Sequence, residues 1–226
     1  MILILNNKAN LSLEEIKYYE KKLRKYKVIV CPSMCYLPLF QKGKYLLGSQ
    51  DISEFEEENR TGEVNGKQLK SLNVKYCLIG HSERRIYNKE TNETLLNKII
   101  RCFENNIVPL YCIGESNIEN KEIELRQELD LVLNNFKEKE LYIVYEPLNN
   151  IGNENPDFDS LEETINFIKQ YIKERDSNSI KIIYGGGVNK DNIKLLTKIK
   201  ELDGLIISTN SLKVESLKDL YEKTRK

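Results

Sequence analysis

The sequence predicts an α/β chain folded as a closed (β/α)₈ barrel, one domain spanning residues 1–226. Three observations carry that expectation. Eight short apolar runs recur along the chain. Amphipathic stretches with helical spacing lie between them, so strand and helix alternate from end to end. No Gly/Ser linker, low-complexity tract, composition break or internal repeat divides the 226 residues, a length ordinary for one such barrel.

The runs are ILIL (2–5), VIV (28–30), YLL (45–47), YCLIG (76–80), IVPLYCIG (107–114), LYIVY (141–145), IKIIYGGG (180–187) and GLIIS (204–208). Each is short, β-branched or aromatic and not alternating, which suits strands of a parallel sheet buried on both faces. Two of the intervening helices carry capping boxes, Ser12 to Glu15 before IKYYEKKL and Ser160 to Glu163 before TINFIKQYI. The connection after the second run is weaker, because YLPLFQKG offers barely two helical turns. The acidic cluster EFEEENR (54–60) reads as a solvated loop. Eight βα units also fit a doubly wound open sheet, but that fold usually carries a glycine-rich turn after its first strand. Here the first strand runs into NNKAN, which has no glycine, and this favours the closed barrel.

Composition narrows the partners. With 35 basic and 35 acidic residues and a pI near 6.7, the chain has no overall field to draw in nucleic acid or an anionic membrane, so a charged substrate must be held locally. MILILNN is too short an apolar start for a signal peptide or a membrane span, and the expected compartment is the cytoplasm. The five cysteines, Cys31, Cys35, Cys77, Cys102 and Cys112, are odd in number and widely spaced. They read as buried reduced thiols rather than a disulfide framework or a metal site.

In a barrel the segments after the strands gather at one face, so residues distant in sequence converge there. Those positions hold Asn6 and Lys8 after the first strand, the single histidine His81 after the fourth, Glu146 after the sixth, and glycine-containing segments after the sixth and seventh. A carboxylate, an imidazole, a cation and free backbone N–H groups sharing one mouth could move a proton on an anionic carbonyl substrate.

NNKAN, TGEV, IGHSERR, YCIGES, YEPLNNIG and YGGGV occur in the order and approximate spacing of the signature segments of the triosephosphate isomerase family, from residue 6 to 188. The chain resembles that family along nearly its whole length. The resemblance implies the TIM-barrel fold, a sugar-phosphate substrate, and isomerisation between dihydroxyacetone phosphate and glyceraldehyde 3-phosphate with no cofactor and no metal. It implies Glu146 as the base that moves the proton and His81 as a neutral electrophile at the start of a short helix. Lys8 would supply positive charge, with Asn6 holding its surroundings. Glu83 is open between two roles: a second carboxylate of the site touching Lys8, or an ion-pair partner of the neighbouring arginines.

The same resemblance makes PLNNIGNENP (147–156) a lid that excludes water, with Gly152 donating an N–H to phosphate and Tyr184 latching the closed state. Asn149 and Asn150 replace larger apolar residues there. The phosphate grip departs further: Gly187 stands where a serine is usual, and Ser208 and Thr209 stand where paired glycines are usual. A β-branched threonine resists the close approach and positive φ that glycine permits. TGEV resembles the tip of a loop inserted into a second copy, implying a homodimer through the loop containing Thr61, although EEENR replaces smaller residues before it. Two other readings remain beside the first: a related isomerase acting on another phosphorylated ketose, and a barrel that has lost catalysis and serves as a binding protein.

Overall fold

A computed structural model describes residues 1–148, 156–175 and 180–225. Its eight strands are β1 (Ile2–Asn6), β2 (Ile29–Cys31), β3 (Leu46–Ser49), β4 (Tyr76–Ile79), β5 (Val108–Ile113), β6 (Tyr142–Tyr145), β7 (Lys181–Tyr184) and β8 (Gly204–Ile207). All neighbours pair in parallel, and β8 closes on β1 with Leu5 opposite Ile207, so the sheet is a closed (β/α)₈ barrel. Each run read as a strand forms one. The runs do not alternate because both faces are apolar: Ile4, Leu78, Leu110, Val144, Ile183 and Ile206 fill the barrel interior. Their neighbours Leu5, Ile79, Tyr111, Ile143, Ile182 and Ile207 pack outward against the helices.

The described helices are α1 (Leu13–Leu23), α2 (Gly66–Ser71), α3 (Ser82–Tyr87), α4 (Asn92–Glu104), α5 (Lys121–Leu133), α6 (Phe158–Lys173), α7 (Ile193–Leu196) and α8 (Val214–Lys223). Ser12 caps α1 through the expected reciprocal box with Glu15. The second expected box is corrected: α6 starts earlier, and Asp157 caps it by accepting the Ser160 N–H, which leaves Ser160 inside the first turn. The weak connection after β2 is a 3₁₀ helix, Met34–Leu39, with Pro38 inside it. Four cysteines are buried as expected, whereas Cys35 lies exposed on that helix; all five are free thiols. Among the described residues, no helix is long and apolar enough to cross a membrane.

Candidate active site

The C-terminal ends of the strands surround a cavity of about 400 Å³ lined by Lys8, His81, Glu83, Glu146, Gly187, Ser208 and Thr209, among others. Asn6 lies just beneath, 3 % exposed, with its Oδ1 accepting the Lys8 backbone N–H at 3.1 Å. Lys8 is in the left-handed region, φ 51°, a conformation that costs a non-glycine residue about 1–3 kcal/mol unless its surroundings enforce it. Asn6 holds one side of this turn. Gln50 holds the other, donating to the carbonyls of both Lys8 (2.9 Å) and Cys31 (3.0 Å). The strained turn aims the ammonium across the cavity to Glu83, 2.6 Å away. With both side chains substantially exposed, this pair contributes little to stability, about 0–1 kcal/mol, and serves mainly to orient the cation. Of the two roles open to Glu83, contact with Lys8 is the one observed.

His81 follows Gly80, whose φ of +70° turns the chain out of β4, and caps α3. Its Nδ1 accepts the Glu83 backbone N–H at 3.3 Å. With Nδ1 accepting, Nε2 is the ring nitrogen left to donate toward the cavity. Nε2 faces Glu146 Oε2 at 3.3 Å. Burial pushes the Glu146 carboxyl above its ordinary value; His81 and Lys8 oppose that rise and Glu83 adds to it.

Three contributors are invisible in the sequence. Gln50 supports Lys8 from β3's end. A Cβ on Gly114 would sit 2.0 Å from the Glu146 backbone oxygen, and one on Gly185 would sit 2.6 Å from Glu146 Oε1. Gly114 lets β5's end close on the Glu146 backbone, and Gly185 lets β7's end close on its carboxylate. Gly185 falls inside the quoted YGGGV segment, but only the barrel's closure reveals what it touches.

Where the sequence leads one to expect the phosphate grip, Gly187 adopts φ +55°. Thr209 is not in the left-handed region; residues Thr209–Ser211 instead form a 3₁₀ turn after Ser208 (φ −104°, ψ −93°). The backbone therefore avoids the conformation that threonine resists. Among the described residues, the N–H groups of Gly187, Thr209 and Asn210 have no protein acceptor and border the cavity. Tyr184 is fully buried, and its hydroxyl has no partner among the described residues. Gly152, Asn149 and Asn150 lie outside the described residues. Thr61, Gly62 and Glu63 are exposed and do not line this cavity.

The family model described as triosephosphate isomerase matches residues 1–224. The chain is 32 % identical to the triosephosphate isomerase of Buchnera aphidicola subsp. Cinara cedri, over 99 % of this chain and 98 % of that protein. It is 35 % identical to that of Clostridium botulinum (strain Loch Maree / Type A3), covering 93 % and 94 %. It is 39 % identical to that of Orientia tsutsugamushi (strain Ikeda), covering 76 % and 73 %. Joined to a closed barrel whose rim gathers lysine, histidine and glutamate, these matches lead to one conclusion: the chain belongs to the triosephosphate isomerase family.

Proposed function

We propose that this protein interconverts dihydroxyacetone phosphate and D-glyceraldehyde 3-phosphate by proton transfer through an enediolate. The observation that carries the reading is the direct 3.3 Å approach of His81 Nε2 to Glu146 Oε2 on the wall of a cavity that Lys8 also borders. In this reading the Glu146 carboxylate takes a proton from the carbon beside the carbonyl and returns it to the neighbouring carbon, leaving no net change in charge. His81 donates its Nε2–H to the oxygen on which negative charge develops, and Lys8 stabilises that charge and the phosphate. The unpaired N–H groups at Gly187, Thr209 and Asn210 suit the phosphate oxygens, with Ser208 completing the turn and Gly152 assigned to the same grip from the lid. Glu83 keeps Lys8 aimed, and Asn6 holds its turn.

We infer also that residues 1–226 act as one domain in the cytoplasm and that two copies pair through the loop containing Thr61. The exposed tip of that loop supports the pairing, as does a hollow of about 500 Å³ beside it lined by Asp51, Glu63, Arg84 and Glu90. A coupled assay with glyceraldehyde 3-phosphate tests the activity, and solution mass tests the pairing. Turnover of at least about 1 s⁻¹ that Glu146→Asp cuts sharply is expected. A rate at background, rescued by another sugar phosphate, would overturn the substrate.

A further inference from the structure

Between the strand that presents His81 and the strand that presents Glu146 lies β5, which contributes no side chain to the cavity around them. The two reacting groups can keep their separation only if the ends of β4, β5 and β6 are held in register. Backbone bonds carry the β5–β6 pairing as far as Glu146, but the β4–β5 register ends at Ile79 and Tyr111, short of His81, so something else must hold β4 there.

Arg85, on α3, reaches back into this gap. Its Nε donates to the Gly80 carbonyl at 2.7 Å, the peptide that leads into His81. Its Nη2 donates to the Cys112 carbonyl at 2.8 Å, near the end of β5, while Nη1 lies 3.2 Å from Glu128 Oε1. Glu128 Oε2 in turn accepts the Gly114 N–H at 2.8 Å. The strand carrying these acceptors then meets the glutamate directly: the Glu146 N–H donates to the Ile113 carbonyl at 2.8 Å. An unbroken set of contacts therefore runs from the His81 peptide through one guanidinium to the Glu146 backbone. A planar fork with five donors can reach two carbonyls and a carboxylate at once, which an ammonium cannot reproduce. Arg85 and Glu146 also border a common hollow of about 200 Å³ behind the carboxylate.

We propose that Arg85, locked by Glu128, is a positioning residue that sets the distance between His81 and Glu146 without touching substrate. The inference rests on the isomerase reading above. It separates the two ends of the site: the spacing of the proton-transfer groups depends on Arg85, whereas the phosphate turn at Ser208–Ser211 does not.

The test is steady-state kinetics of Arg85→Ala, Arg85→Lys and Glu128→Gln beside the wild type, with inorganic phosphate as a competitive probe of the anion grip. Arg85→Ala is expected to lower kcat at least tenfold, with KM and the phosphate inhibition constant within threefold of wild type. Guanidinium ion at about 50 mM, well below denaturing levels, should restore at least threefold of that loss. It should do nothing for wild type or for Glu146→Gln. Arg85→Lys and Glu128→Gln should fall between, and they carry the test if the alanine variant does not fold. A kcat within twofold of wild type overturns the inference. So does a loss shared equally by kcat and the phosphate constant with no response to guanidinium, the signature of general loosening. A wild type without turnover rejects the isomerase reading instead. In that event a crystal structure of Arg85→Ala decides the positioning role: widening of the 3.3 Å His81–Glu146 approach by about 1 Å upholds it, and an unchanged approach overturns it.

Discussion

Gly185→Ala isolates the geometry of the proposed base from its chemistry. Gly185 has no left-handed backbone requirement, so alanine is tolerated conformationally and the perturbation is the methyl group alone. That methyl would lie 2.6 Å from Glu146 Oε1, 2.7 Å from Glu146 Cγ and 2.5 Å from Ile206 Cγ2. Ordinary contacts begin near 3.5 Å, so the carboxylate and the Ile206 side chain must each retreat by about 0.8–1 Å. Both side chains border the cavity, but the methyl meets Ile206 at a branched carbon packed into the barrel and Glu146 at the far end of a flexible chain, so the glutamate takes up most of the displacement. A reacting group misplaced by about 1 Å costs about 10²-fold in rate, so kcat should fall about 10- to 100-fold. Overpacking should cost about 1–3 kcal/mol of stability. Lys8 and the N–H groups at Gly187 and Thr209 are untouched by the methyl, so KM and inhibition by inorganic phosphate should stay within threefold. The coupled isomerase assay gives kcat and KM, and urea denaturation gives the stability change. A folded variant with kcat within twofold of wild type would refute the idea that Gly185 leaves room for the working position of Glu146.

Three other outcomes follow from the same geometry. Glu146→Gln should lower kcat by at least about 10²-fold, and because burial raises the Glu146 carboxyl, the acid limb of kcat/KM in wild type should lie above the ordinary value of 4.5. The sign for stability is opposite to that of a salt-bridged carboxylate: the raised group stabilises the fold fully below the unfolded value and loses that contribution as pH rises through the folded one. Glu146→Gln should therefore be more stable than wild type at pH 7.5 and equal to it near pH 4, as thermal melts at the two pH values would register. Thr209→Gly should change the phosphate inhibition constant less than threefold, since Thr209 already occupies ordinary helical space, while lowering stability by about 0.5–1 kcal/mol through added chain freedom. A large gain in affinity would mean that the threonine impairs the grip. Asp157→Ala should cost about 1 kcal/mol in urea denaturation and Ser160→Ala less than about 0.5, the reverse of what a cap at Ser160 requires.

The eight strands were legible because a strand buried on both faces must be apolar at consecutive positions, and each such run lies between helices amphipathic enough to cover it. His81 and Glu146 stood out for a related reason: each directly follows an apolar run, and the barrel's geometry sends such positions to one face. The start of α6 is ambiguous in the sequence because Asp157 and Ser160 are both good capping residues. Only the packed helix decides which of them meets the open N–H groups.

The sequence alone determined the barrel, its strand positions and the residue types at its mouth, since these follow from local apolar pattern and chain order. What only the tertiary structure decided is how groups far apart in sequence bear on one another. The clearance that Gly114 and Gly185 leave Glu146, the support of Lys8 by Gln50, and the ordinary backbone of Thr209 all depend on contacts across separate strands. Pattern records which face a residue takes. Sub-ångström fit between faces exists only once the ring has closed.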